Sequence, residues 1–210
     1  MSSTGMFEAP SLLLTRPRLL NPLHALGLIN AFSQTNAMEL DCLGRYAAGH
    51  ECALEIGTFM GVSARVITRA LAPGAKLYCI DPWEIHHGKE NPCWTICKRE
   101  LRRHGLLSRV VFLQGLSHEM EAAMSDSFDF IFIDGDHSYE GLKRDWGIVL
   151  RHLAPGGILC LHDTTIPEAE PHRNFGTVTF FEEVIRLHPE FEWLECCYSL
   201  NVLRRRSLNG

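Results

Sequence analysis

Apolar positions along this chain fall into two periods, and the switches between them trace a repeated strand–turn–helix unit. Short runs of strand length occur at Cys52–Ile56, Lys76–Ile80, Val110–Gln114, Phe128–Ile133 and Ile158–Leu161. After the first run, Val62, Val66, Ile67, Ala70 and Leu71 recur at the spacing of one helical face; after the fourth, Leu142, Trp146, Val149, Leu150 and Leu153 do the same. Helices are also expected over Cys93–His104, closed by Gly105, over Ser117–Met124 and over Val178–His188. Ala72-Pro73-Gly74 and Pro155-Gly156-Gly157 read as turns. The last two apolar runs, Phe191–Cys197 and Ser199–Leu203, leave no room for a helix between them, so they should pair as an antiparallel hairpin. The pattern predicts a doubly wound α/β sheet, mostly parallel, with one reversed C-terminal edge.

Ahead of the first strand the pattern is different. Residues 1–22, broken by Pro10, Pro17 and Pro22, read as an irregular arm. Two helices should follow, Leu23–Ser33 and Ala37–Ala48, the second with Asn36 as N-cap and Gly49 as stop. We therefore divide the 210 residues into an N-terminal part, 1–50, suited to covering a substrate or making a homodimer contact, and a main domain, 51–210. A net charge of −5 argues against nucleic acid as a partner. Arg16, Pro17, Arg18 and Pro22 interrupt the N-terminal apolar residues, and no unbroken run reaches membrane length. Of the eight cysteines, Cys52, Cys79 and Cys160 sit inside strand runs and read as buried thiols, which suits a reduced, cytoplasmic chain. Cys93 and Cys97, with His86 and His87 nearby, match no zinc-ligand spacing.

Chemistry gathers where the strands finish. The first runs into Glu55-Ile56-Gly57-Thr58-Phe59-Met60-Gly61-Val62-Ser63, a glycine turn opening a helix, where free backbone N–H groups can meet an anion. The second closes on Asp81-Pro82, the fourth on Asp134-Gly135-Asp136-His137, and the fifth on His162-Asp163. In open α/β sheets, ligands bind outside the carboxyl ends of the strands. The turn lacks the Gly-x-Gly-x-x-Gly spacing of nicotinamide enzymes.

Taken together, Glu55-x-Gly57-x-x-x-Gly61, Asp81, Asp134-Gly-Asp-His-Ser-Tyr139 and Pro155-Gly-Gly157 followed by His162-Asp163 resemble the class I S-adenosylmethionine-dependent methyltransferases. More narrowly, they resemble the small-molecule O-methyltransferase branch that includes catechol-type and macrolide-sugar enzymes. The similarity spans residues 50–205 and implies a Rossmann-like fold and S-adenosyl-L-methionine as cofactor. By that resemblance, Gly57, Thr58, Phe59, Gly61 and Ser63 would receive the amino-acid tail, the two glycines by leaving room for it, and Glu55 would orient the loop or, directly or through water, the tail's ammonium. Asp81 would take the ribose hydroxyls, with Pro82 and Trp83 beside it. Gly115, Leu116 and Ser117 would edge the adenine, and Asp134 would stand at the methyl end.

Metal-dependent relatives hold a divalent ion at the positions of Asp134, His162 and Asp163, which implies Mg²⁺, Mn²⁺ or Fe²⁺ there. The chain departs from the catechol-type pattern in two places. His162 replaces a carboxylate, which favours Mn²⁺, Fe²⁺ or Zn²⁺ over Mg²⁺, and His137 stands where those enzymes carry a lysine base. His137 is the candidate general base, with Asp134 or Asp136 fixing its tautomer; its other reading is a helix cap. The loops 83–92 and 166–175, with Trp83, His86, His87, Trp94, His172 and Phe175, are the expected walls for a small-molecule acceptor. Three readings follow: an O-methyltransferase, a metal-free N- or C-methyltransferase, and a cofactor-binding scaffold without catalysis.

Overall fold

Alternation along each strand sorts its side chains to two faces, and helices cover both. The computed structural model describes residues 17–84, 90–173 and 175–207. Seven strands form one sheet: β1 (Cys52–Ile56), β2 (Lys76–Asp81), β3 (Val110–Gln114), β4 (Phe128–Ile133), β5 (Leu153–Leu161), β6 (Phe191–Cys197) and β7 (Leu200–Arg205). Their order across the sheet is β3-β2-β1-β4-β5-β7-β6. The pairs among β1 to β5 are parallel, while β7 runs antiparallel to β5 and to β6, as the hairpin expectation requires. The chain thus has the mostly parallel, Rossmann-like α/β architecture that the strand–helix alternation predicts.

The helices, in chain order, are α1 (Pro17–Ala25), α2 (Ala37–Ala47), α3 (Val62–Ala70), α4 (Pro92–Arg103), α5 (Ser117–Met120), α6 (Tyr139–His152) and α7 (Gly176–Phe180), the last continuing as a π-helical turn to Ile185. One core lies between the sheet and α2, α3 and α4, where Leu43, Ile67 and Leu101 meet Leu77, Phe130 and Val202. The other lies under α6 and α7, where Leu142, Trp146 and Phe181 meet Leu54, Ile131 and Leu159. Along β1, Ala53 faces the first core and Leu54 and Ile56 the second, the period of two that a strand imposes. Among the described residues no helix is long and apolar enough to cross a membrane. All eight cysteines are free thiols; Cys79 and Cys160 are buried and Cys52 half-buried.

Several elements differ from the sequence expectation. The first helix is not Leu23–Ser33: it starts at Pro17 and ends at Ala25. Proline is well suited to open a helix. Gly27, at φ +72°, then ends it in a Schellman turn, with the Gly27 and Leu28 N–H groups donating to the His24 and Leu23 carbonyls. The Pro155-Gly-Gly turn lies within β5, which begins at Leu153. Phe128 pairs with Leu153 and Phe130 with Ile158, so residues 154–157 form a bulge. β7 is shifted to Leu200–Arg205.

The glycines of the first turn also act differently from expectation. At Gly57 (φ +89°) a Cβ would lie 2.0 Å from the backbone oxygen of Asp134, and at Gly61 (φ +78°) it would lie 2.6 Å from Cys97 Sγ. They permit contact between chain segments and do not open space for a ligand tail. Gly74, with a similar φ of +83°, has nothing within 4 Å of such an atom. Gly74→Ala should therefore cost only the left-handed penalty of about 1–2 kcal/mol. Gly57→Ala should cost clearly more, because the collision adds to the same penalty. Urea unfolding of the two variants checks the difference.

Candidate active site

Strand ends kept in step place the polar residues side by side. The Asp134 N–H donates to the Ile56 carbonyl at 2.8 Å, and the His162 N–H donates to the Ile133 carbonyl at 3.0 Å. Each bond continues the sheet one residue past its last strand position. The tips of β1, β4 and β5 therefore bring Asp134 and His162 together.

A cavity of about 440 Å³ opens at these tips, within the usual range for small-molecule sites. Gly57, Thr58, Phe59, Ser63, Asp81, Pro82, Gly115, Leu116, Ser117, Asp134 and His137 line it, as do Phe32, Ser33 and Gln34 from the stretch between α1 and α2. Three expected cofactor contacts do not. Glu55 lies beneath the floor, fully buried. Gly61 is turned against Cys97.

Trp83, expected as a cofactor contact and acceptor wall, is 2% exposed and packed against Trp94 at 4.2 Å with the rings tilted, with Phe112 edge-on at 5.9 Å. It acts from behind, its indole Nε1 donating to the Phe59 carbonyl at 2.9 Å. Trp94 joins the same cluster and is no acceptor wall. His172 is exposed, and His86 and His87 lie outside the described residues.

Asp81 organises the glycine turn. Its Oδ2 accepts from the N–H groups of Thr58 (3.1 Å) and Phe59 (2.8 Å), and its Oδ1 from that of Trp83 (2.9 Å). Phe59 and Trp83 both have positive φ, +50° and +31°, a strain that such anchors can hold in place. Burial raises the Asp81 pKa, against the pull of those three donors.

Under the turn, Glu55 Oε2 accepts from Cys79 Sγ at 3.4 Å. Glu55 Oε1 and Thr58 Oγ1 are buried without hydrogen-bond partners, the kind of polar pair that a bound water can satisfy. Burial pushes the Glu55 pKa up to about 7, opposed by the nearby Ser63, Thr58 and Cys79 side chains.

At the other end, carboxylates and imidazoles alternate. Asp134 Oδ1 is 3.2 Å from His137 Nε2 and 2.8 Å from His162 Nδ1. His162 Nδ1 is nonetheless buried without a well-aligned hydrogen bond. Its Nε2 meets Glu39 Oε2 at 3.2 Å. Burial opposes protonation of His162, but Asp134, Glu39 and Asp163 outweigh it and push the pKa up to about 10. The two imidazoles in turn hold Asp134 below the ordinary carboxylate range despite its burial.

Glu39 carries no signal in the strand-end motifs, yet it completes the site. Through its carboxylate it accepts from Asn36 N, His162, Ser199 N and Ser199 Oγ. The Asn36–Glu39 capping box was the available hint. Thr35 Oγ1 also reaches Asp134 Oδ2, at 3.5 Å.

Asp163, expected among the metal ligands, borders the close cluster without joining it, its Oδ2 lying 3.6 Å from His162 Nδ1. The atoms of Asp134, His137 and His162 lie within 4.8 Å of one another, near enough to share an ion. Asp163, held at φ +51°, is engaged by the Arg173 guanidinium at 2.9 Å, and its Oδ2 sits 3.4 Å from His137 Nδ1. Phe175, from the second expected wall, stands edge-on to His137 at 5.1 Å.

A crevice with a glycine turn, an acid ending the second strand and a polar cluster at the fourth and fifth defines a nucleoside-binding doubly wound domain. Residues 54–164, just over half of the chain, match the family model described as "Methyltransferase domain". The chain belongs to this family and has the class I fold of S-adenosylmethionine-dependent methyltransferases.

It is 24% identical over 149 residues to the uncharacterized protein y4gI of Sinorhizobium fredii, a match that covers 67% of this chain and 16% of that protein. Two solved structures share the fold. An O-methyltransferase from Bacillus cereus, in complex with S-adenosylhomocysteine, is 21% identical with a TM-score of 0.62, over 97% of this chain and 94% of that one. The O-methyltransferase TomG of Streptomyces achromogenes, in complex with S-adenosylmethionine, is 18% identical with a TM-score of 0.62, over 98% and 100%.

Because Glu55 is an acid whose pKa is raised in the folded state, its contribution to stability is complete below the unfolded value near 4.5 and is lost as pH rises through about 7. Between pH 5 and 8 the wild type should lose up to about 3 kcal/mol that Glu55→Gln does not lose. Denaturant titrations at the two pH values check this.

Proposed function

We propose that the chain transfers a methyl group from S-adenosylmethionine to a hydroxyl of a small metabolite. The observation that carries this reading is the Asp134–His137 pair at the cavity's polar end. The pair is reachable from solvent, and Asp163 backs the imidazole from its other nitrogen.

The cavity suits the cofactor's parts in order. Gly57, Thr58, Phe59 and Ser63 line the end that would take the amino-acid tail, and the Asp81 carboxylate stands beside the place for the ribose diol. The stretch Gly115–Ser117 flanks the far end. When bound, the cofactor supplies an electrophilic methyl on a sulfonium.

His137 takes the acceptor's proton as the methyl is transferred. Asp134, on its Nε2, orients the ring and stabilises the imidazolium that forms. Phe175 screens that ring from water on one side. Thr35 and Glu39 hold Asp134 and His162 in place from α2 and its N-terminal approach.

A second reading rests on the closeness of the Asp134, His137 and His162 donor atoms, all within 4.8 Å of one another. Asp134, His137 and His162 present one oxygen and two nitrogens, a donor set suited to Mn²⁺, Fe²⁺ or Zn²⁺ more than to Mg²⁺. Such an ion would acidify and orient the hydroxyl directly, and His137 would then be a ligand.

Chelation separates the two. Turnover that survives exhaustive dialysis against EDTA supports His137 as base, whereas loss that Mn²⁺ restores supports the ion. In either case His137→Ala should lower turnover by about 10²–10⁴-fold while S-adenosylhomocysteine still binds in calorimetry. Wild-type turnover in that variant would remove His137 from the reaction.

A further inference from the structure

We propose that Asp145 reads the adenine of the bound nucleoside, its free carboxylate oxygen accepting the exocyclic amine while Ser117 holds the other oxygen. This deepens the cofactor reading of the cavity and rests on it.

Asp145 lies on the buried side of α6, among Leu142, Trp146, Ile148 and Val149. An acid is costly in that row unless something uses it. It is 4% exposed, yet it lines the cavity. Oδ1 accepts from Ser117 Oγ at 2.5 Å. Oδ2 has no hydrogen-bond partner among the described residues, and it is not one of the partnerless atoms sealed from solvent. An atom with neither a partner nor a seal opens onto the cavity.

The surroundings keep that opening clear. A Cβ on Gly135 would stand 3.4 Å from Oδ2, so any larger side chain there would crowd the approach. Gly115 leaves its space to Met120, whose Cε would be 2.7 Å from an added Cβ. Burial raises the Asp145 pKa to about 6, against the Ser117 bond, and a ligand donor on Oδ2 would offset that burial. Adenine fits because its C6 amine is a donor. A 6-oxopurine would set a carbonyl oxygen against the carboxylate, two acceptors face to face. A buried polar group made to meet an N–H discriminates strongly against a ligand without one.

The test compares S-adenosylhomocysteine with S-inosylhomocysteine by calorimetric titration of the full chain, in the wild type, Asp145→Asn and Asp145→Ala. The wild type should prefer the adenosyl compound by about 100-fold or more. In Asp145→Asn the carboxamide can donate to the 6-oxo group, and the preference should shrink to within about 10-fold. Asp145→Ala should also lose most of it, with the melting curve reporting that the fold persists.

A wild type that binds both compounds alike overturns the proposal. So does a preference unchanged in either folded variant, since a merely structural Asp145 would weaken both ligands equally. Failure of the wild type to bind either compound overturns the cofactor reading itself.

Discussion

The close approach of two backbones supports everything at the cavity. Gly57 lies against the Asp134 carbonyl, and the Asp134 N–H continues the pairing of β4 with β1. With these tips locked, the glycine turn and the Asp134 carboxylate become parts of one rigid surface. Asp81 then fastens the turn from the β2 side through three backbone donors, and the Trp83 indole fastens it from behind. Loops are ordinarily mobile because few contacts cross them. This one is held by a neighbour's carbonyl, a half-buried carboxylate and a packed tryptophan, so less ordering is left for binding to do.

The polar cluster at the other end is held by charge. Asp134, Asp163 and Glu39 converge on two imidazoles, and Arg173 answers Asp163. Buried carboxylates persist only where positive charge or donors meet them. That requirement explains the elevated His162 pKa and the depressed Asp134 pKa together. It also explains why a donor set of mixed nitrogens and oxygens could admit a cation without rebuilding the site.

Much of this was legible in the residues. Strand runs and helical periods define the sheet, because their side chains must reach opposite faces of one layer. Acids directly behind buried strands, Asp81 and Asp134, mark the crevice because they end apolar runs that cannot solvate them. The misreadings have local causes. Trp83 follows an acid at a strand end and so looked like a pocket wall, but the ring turned inward onto Trp94 and Phe112. Gly57 and Gly61 looked like space for a ligand, though only contacts distant in sequence reveal what fills it. Asp163 looked equivalent to Asp134, but Arg173 takes one of its oxygens and only the other faces the imidazoles. Glu39 was hidden because an acid three residues after an N-cap already has a sufficient local explanation, and its partners at 162 and 199 lie more than a hundred residues away.

That last feature ties residues inside the family match to residues outside it. The family match ends at residue 164 and begins at 54, yet the imidazole of His162 is gripped by an acid that precedes this span and shares its carboxylate with a serine that follows it. Two chains identical from 54 to 164 could thus differ in reactivity through one change in an outlying helix or hairpin. Divergence of chemistry within this fold can proceed from its margins, leaving the nucleoside crevice untouched.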